Sequence, residues 1–156
     1  MIFIEGNVPS LKNSKIKTNR GIFASPTVNK YIRKLGIQSF SSSKKEIKGY
    51  VDTKNKPNIF AKKTKNLKKE IESKGFPIFI GYHQVRKTKR LFDFSNSVEI
   101  IQDLLTAHDI IEDDNVKFVF PIPMTKKGKL PTTNNIRKKD WYSVDKENPG
   151  VYIKIF

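Results

Sequence analysis

An acidic segment inside a strongly basic chain is the feature of this sequence that is best suited to chemistry. Residues 93–114 hold seven of the 15 acidic residues and no Lys or Arg, although the formal net charge is +16. A basic body predicts a polyanionic partner, because each neutralised phosphate releases condensed counterions. A divalent cation held between carboxylates and phosphates would reconcile the two charges. The combination therefore predicts a metal-dependent nuclease.

Three carboxylates of the segment have a spacing that suits a metal site. Asp93 stands at the entrance of a predicted helix, and Asp113 and Asp114 stand at the start of the strand that follows it. Such a helix is roughly 20 Å long, so its ends meet only if the chain after Asp109 doubles back or a partner subunit supplies one end. Converging carboxylates would suit Mg²⁺ or Mn²⁺. The alternative is that the same residues are an ordinary helix cap and turn.

A strand, a helix and a second strand must position these acids. Residues 77–85 are apolar on both faces, as in a central strand, and the next strand is predicted over residues 116–120, ended by Pro121 and Pro123. Ser95 or Asn96 is the predicted N-cap of the helix, which ends near Asp109. Its apolar stripe consists of Val98, Ile101, Leu104, Leu105 and His108.

The remaining segments complete one α+β domain, a mixed β-sheet packed against helices and carrying basic loops. Strands are predicted at residues 2–4 and 151–156, and a helix from Ser25-Pro26 to Gly36. A short helix is predicted from about residue 66 to 73. Residues 39–65, with one short ordered piece at 47–51, and residues 125–149 are expected to be extended basic loops.

Basic residues are too numerous for solubility to be their only role, although a lysine run is commonly just a solvated surface. Lys outnumbers Arg and no base-reading helix is evident, so recognition of the DNA backbone and shape is expected rather than sequence readout. The residues predicted to bind DNA are Lys12, Asn13, Lys15, Arg86, Lys87, Lys89, Arg90, Lys126 and Lys127.

Composition excludes several other kinds of site. The chain has no Cys, which rules out disulfides and thiolate zinc sites, and its two His argue against a His-rich metal site. No apolar stretch approaches the ~20 residues that span a bilayer, and no signal peptide is evident. A soluble cytoplasmic protein without a membrane partner is expected.

The acidic motif resembles that of the RusA-type Holliday junction resolvases. The residues concerned are Asp93-Phe94-Ser95-Asn96, Asp103 and Asp113-Asp114. The family signature is Asp-x-Asp-Asn at a helix start, a further Asp in the helix and an Asp-Asp pair after it. Residues 8–13 and 123–128 resemble flanking family segments more weakly.

The resemblance implies a homodimeric endonuclease that binds four-way DNA junctions in a bacterial or phage-infected cell and nicks two opposed strands with Mg²⁺ or Mn²⁺. Asp93 and Asp114 would be catalytic metal ligands, with Asp113 as a neighbouring ligand or supporting acid, and Asn96 would shape the site. Two residues depart from the family pattern. Ser95 replaces its second Asp, and Glu99 stands where the family has a basic residue, so Glu99 or Asp113 is expected to supply the missing carboxylate.

Two other function classes remain open. A catalytically weak junction-binding protein would bind four-way junctions with or without metal and leave them uncut. A basic RNA-binding module would use the acidic segment only for structure and would prefer RNA to branched DNA.

Overall fold

The computed structural model describes residues 1–10, 15–18, 21–37, 58–90, 92–131 and 141–156. The elements of these ranges, in chain order, are β1 (Ile2–Glu5), β2 (Lys15–Thr18), β3 (Gly21–Ala24), α1 (Pro26–Lys34), α2 (Ile59–Lys74), β4 (Ile78–Arg86), α3 (Phe94–Ala107), β5 (Val119–Pro123), β6 (Tyr142–Val144) and β7 (Gly150–Ile155).

Strand β4 lies in the middle of a mixed sheet whose main order is β1-β7-β4-β5. It runs antiparallel to β7 and parallel to β5, with Ile78 opposite Val119. Strand β6 pairs in parallel with the last residues of β4, from Gln84 to Arg86. The predicted central strand and the predicted mixed sheet are confirmed, and the parallel β4–α3–β5 connection is what brings the acidic segment to the sheet.

One face of the sheet carries the hydrophobic core. Ile78, Ile80 and Tyr82 alternate along β4 toward this face, and the buried apolar residues of all three described helices belong to the same cluster. Helix α3 contributes Ile101 and Leu104, which are fully buried. The fold is therefore a single-domain α+β unit, as predicted.

The other face of the sheet carries aromatic side chains. This aromatic face consists of Phe3, Phe79, Phe120, Tyr152 and Phe156, from four adjacent strands or their ends. Phe79 and Phe120 stack with ring centroids 5.5 Å apart and are 48% and 37% exposed. The ring centroids of Phe3 and Tyr152 lie 4.5 Å apart. None of the buried helix residues in the described ranges belongs to this face.

Helix α2 is longer than the sequence analysis predicts. It begins at Ile59, within the segment 39–65 that was expected to be an exposed loop. Asn58 caps it, accepting a hydrogen bond from the amide of Ala61 at 2.9 Å. The buried residues Phe60, Thr64, Leu67 and Ile71 recur at helical spacing. The prediction was wrong because the polar Thr64, set among lysines, interrupts the apolar stripe.

Strand β5 begins later than predicted and contains both prolines. The Asn115 carbonyl accepts the amides of Phe118 and Val119, each at 3.0 Å, so residues 115–119 form a turn. Val116 is consequently 72% exposed instead of lying in a strand. Prolines are tolerated in β5 because, in the described part of the chain, it pairs with β4 alone.

Two short pairings were not predicted. Strands β2 and β3 form an antiparallel hairpin, with Lys15 opposite Ala24, where the sequence analysis predicts no strand. Strand β6 falls within the predicted loop 125–149. Strands of three or four residues give too little alternation to be recognised from sequence.

Helix α1 has the predicted Ser25 cap, whose side chain accepts the Val28 amide. The ordered piece expected at residues 47–51 lies outside the described residues. No described helix is long and apolar enough to cross a bilayer.

Candidate functional site

Asp93 is exposed at the amino end of α3 and is held there by its own helix. Its Oδ1 accepts hydrogen bonds from the Ser95 amide at 3.1 Å and the Ser95 hydroxyl at 2.6 Å. Its Oδ2 accepts one from the Asn96 side-chain amide at 2.9 Å. Asp93 is therefore the N-cap, in place of the predicted Ser95 or Asn96. An N-cap requires a residue whose backbone is extended and whose short polar side chain accepts hydrogen bonds from amides of the first helical turn.

Ser95 and Asn96 orient this carboxylate. Both donate side-chain hydrogen bonds to Asp93, so the position at which the resembled family has a second Asp carries a neutral donor here. A second carboxylate at 95 would repel Asp93, whereas the hydroxyl stabilises it. Glu99 is half-buried one turn further along α3. The amino end of the helix adds a favourable partial positive charge near Asp93.

Asp113 and Asp114 lie in the loop between α3 and β5, and both are half-buried. The Asp113 carboxylate accepts the Asp114 amide and the Asn115 side-chain amide, each at 2.8 Å. Burial, followed by the negative charge of Asp114, raises the pKa of the Tyr82 phenol. The fully buried Tyr82 was not among the predicted site residues, because an apolar strand position gives no sign that an acid approaches it.

The predicted ligands do not gather into one metal-binding group within a single chain. Helix α3 has 14 residues, so about 21 Å of helix separates its Asp93 cap from the start of the loop that carries Asp113 and Asp114. Within the described ranges, which include all three acids, no group of three or more His, Asp or Glu side chains is arranged to hold a metal ion. The oxygen donors suit Mg²⁺ in kind, but fewer than three of these side chains are grouped in the described part of one chain.

Four basic residues precede Asp93 in residues 86–90: Arg86 makes contacts within the fold, and the other three are exposed. Arg86 donates from Nη1 to the Val8 carbonyl at 2.8 Å, and its guanidinium lies 4.7 Å from the centre of the Phe92 ring. Burial lowers the pKa of Arg86. Lys87, Lys89 and Arg90 are exposed, so they are the members of the run that a phosphate can reach.

The other predicted DNA-binding residues lie elsewhere. Lys126 and Lys127 are exposed in a turn closed by the Gly128 amide, which donates to the Thr125 carbonyl at 2.8 Å. Lys15 begins β2. Lys12 and Asn13 lie outside the described residues.

Comparisons of the chain with protein-family models, with curated proteins and with solved structures gave no match. The functional interpretation therefore depends on the acidic motif, the charge distribution and the geometry of the site.

Proposed function

We propose that this protein is a structure-selective, Mg²⁺-dependent endodeoxyribonuclease that acts on four-way DNA junctions, as its RusA-like motif suggests. The observation that carries the proposal is the exposed Asp93 carboxylate at the amino end of α3, held by Ser95 and Asn96 and preceded by exposed basic residues. A nuclease needs such a preorganised carboxylate next to a surface that attracts phosphates.

The chain's own residues would have two tasks in the reaction. Carboxylates of Asp93, Asp113 and Asp114 would hold the metal, which when bound orients the phosphodiester and lowers the pKa of the attacking water. Lys87, Lys89 and the neighbouring Arg90 would neutralise phosphates of the incoming strand. Neutralisation matters because an acidic cluster alone would repel DNA.

Phosphate oxygens of the bound DNA would complete the metal site. Within the described ranges the acids do not form a group of three in one chain, and Mg²⁺ is commonly held by one or two carboxylates together with substrate phosphates. We propose in addition that two copies of the chain form a two-fold dimer. Paired sites also suit a two-fold junction that is nicked twice. The aromatic face supports the dimer, since exposed apolar patches commonly mark protein interfaces.

The dimer is tested by sedimentation equilibrium of a Phe79→Glu variant. Phe79 is 48% exposed on the aromatic face, so a charge there should disrupt the interface and leave the monomer folded. Val116→Glu is the matched control, because Val116 is 72% exposed in the turn before β5. A monomeric parent protein, or equal behaviour of the two variants, would contradict the proposed interface.

The nuclease is tested on a synthetic four-way junction in lanes with Mg²⁺, Mn²⁺ or EDTA. Asp93→Asn and Asp114→Asn should abolish metal-dependent cleavage while junction binding is kept or strengthened, because a repulsive charge is removed. Glu112→Gln is the control, since Glu112 is an exposed acid of the same segment that we assign no role. Cleavage that survives both Asp substitutions would refute the assignment.

The same assay separates the two alternative functions. A junction-binding protein without strong catalysis would shift the junction equally in EDTA and Mg²⁺ and leave it uncut. The neutral Ser95 at the position of a family carboxylate, together with the incomplete metal group of one chain, favours this as the second candidate. Tighter binding to RNA than to the junction would indicate an RNA-binding module instead.

A further inference from the structure

A hollow of about 420 Å³ opens where five segments of the chain meet, and we call it the basic cleft. It is bounded by the end of β1, the end of α1, the start of α2, the residue after β4 and the turn between β6 and β7. Its lysines are Lys34, Lys63, Lys87 and Lys146. Three of these, all except Lys87, were not among the predicted DNA-binding residues.

Hydrogen bonds fix the walls of the basic cleft. The Gly6 amide donates to the Pro149 carbonyl at 2.7 Å, which joins the end of β1 to the β6–β7 turn. The Lys87 amide donates to the Asn7 side chain at 3.3 Å. The Phe60 amide donates to the Leu35 carbonyl at 3.3 Å, which joins α2 to the end of α1.

The acids that line the basic cleft are too few to balance its lysines. Lys63 makes a 3.2 Å salt bridge with Glu5, so this pair is neutral. Lys34, Lys87 and Lys146 are exposed lysines that face a single further lining acid, Glu147. Three exposed lysines against one acid leave the lining with an excess of positive charge, which an entering anion would neutralise.

Two neighbouring features favour a phosphate as that anion. The amino end of the 16-residue helix α2 reaches the cleft with no acid in its first turn, so its dipole adds a partial positive charge there, although the Phe60 and Ala61 amides already donate to protein acceptors. Lys34 also borders a second hollow of about 580 Å³ along α1, lined by Asn29, Lys30 and Arg33. The basic surface thus continues beyond the size of one phosphate.

We propose that the basic cleft binds phosphates of the DNA backbone. Lys87 links the cleft to the proposed catalytic Asp93 along the chain, since Lys87 lines the cleft and begins the loop that ends at Asp93. The inference that the phosphate belongs to DNA depends on the proposed function. The inference that the cleft binds phosphate depends only on its own charges and shape.

The test compares two double variants with equal net charge. Lys34→Gln with Lys146→Gln removes two lysines of the basic cleft, and Lys65→Gln with Lys69→Gln removes two exposed lysines of α2 that do not line it. Junction affinity is measured by gel shift over a range of salt concentrations. Each lost phosphate contact should lower the salt slope by about 0.9 and the affinity at ~0.1 M salt by roughly eightfold.

The cleft variant should therefore bind roughly eight- to sixtyfold more weakly than the parent, while the α2 variant changes much less. Equal losses in the two variants would overturn the proposal. If the parent protein binds no junction, the proposed function fails. Binding of inorganic pyrophosphate, followed by NMR, then tests whether the cleft is a phosphate site. Pyrophosphate-dependent shifts of the Gly6, Phe60 and Asn148 amide resonances, lost in the cleft variant, would support a phosphate site, and unshifted resonances would overturn it.

Discussion

Asp93 has a structural role and a proposed catalytic role, and two substitutions should separate them. Asp93→Ala removes the acceptor of the Ser95 and Asn96 hydrogen bonds, which cap α3. Loss of an N-cap lowers the free energy of unfolding by about 1 kcal/mol, with a range of about 0.5–2 kcal/mol. Asp93→Asn should cost only a few tenths of that, since Asn caps helices about as well as Asp. Both variants should lose cleavage.

The expected difference is large enough to measure. With an m-value of about 2 kcal/mol per molar urea, a loss of about 1 kcal/mol lowers the urea midpoint by about 0.5 M. Urea unfolding followed by circular dichroism at 222 nm gives the midpoint, and the junction assay run on the same samples gives the cleavage rate. The Asp93→Asn midpoint should stay within about 0.2 M of the parent.

Two results would refute different parts of this reasoning. If Asp93→Ala is as stable as the parent, the carboxylate does not cap α3 in solution. If Asp93→Asn is stable and still cleaves junctions at the parental rate, Asp93 holds no metal. The second result would remove the proposed nuclease and leave the helix cap intact.

Three further predictions concern stability, each measured by urea unfolding. Ile101→Ala should lower the free energy of unfolding by about 2–5 kcal/mol, because Ile101 is fully buried on the core-facing side of α3. A loss below about 1 kcal/mol would contradict this packing. Gly150→Ala should destabilise the protein by about 1–3 kcal/mol, since the added Cβ would meet the backbone oxygen of Ile4, and an unchanged midpoint would show that the strands can move apart. Tyr82→Phe should stabilise the protein by about 1 kcal/mol at neutral pH, because the buried hydroxyl has no hydrogen-bond partner among the described residues. Burial and Asp114 raise the pKa of the Tyr82 phenol in the folded state, so the parent should lose stability above the unfolded phenol pKa of about 10 and the Tyr82→Phe variant should lose less. If both proteins lose the same stability at alkaline pH, the pKa of the Tyr82 phenol is not raised in the folded state.

The parts of the fold that the sequence predicted are those with strong periodicity. Strand β4 is apolar on both faces because both are covered over most of its length, and α3 has a continuous buried stripe. The beginning of α2 was missed because the buried Thr64 is polar and its neighbours are lysines. The start of β5 was misjudged because the alternation of Val116 with Phe118 looks like a strand, although local hydrogen bonds to Asn115 form a turn there.

The candidate site was predictable in its residue types and less so in its geometry. The motif spacing identified Asp93 as a residue at a helix entrance, which the structure confirms, but the choice of cap between neighbouring polar residues depends on backbone angles that no motif specifies. Arg86 was predicted to bind DNA, whereas its guanidinium donates to the Val8 carbonyl. The basic cleft could not be predicted because its lysines are far apart in sequence and only the fold brings them together.

Charge links the proposed dimer to the proposed substrate. Each chain is formally +16, so two copies meeting through the aromatic face repel one another, and added salt screens this repulsion. Salt should therefore strengthen dimerisation and weaken junction binding, because junction binding releases counterions. A junction that bridges both subunits offsets the repulsion, and by linkage the dimer then binds the junction more tightly than the monomer does. Sedimentation equilibrium and gel shifts at about 0.05 M and about 0.5 M salt should give these opposite trends. A dimer that weakens as salt is added would be held by ion pairs, and the aromatic face could not then be its main contact.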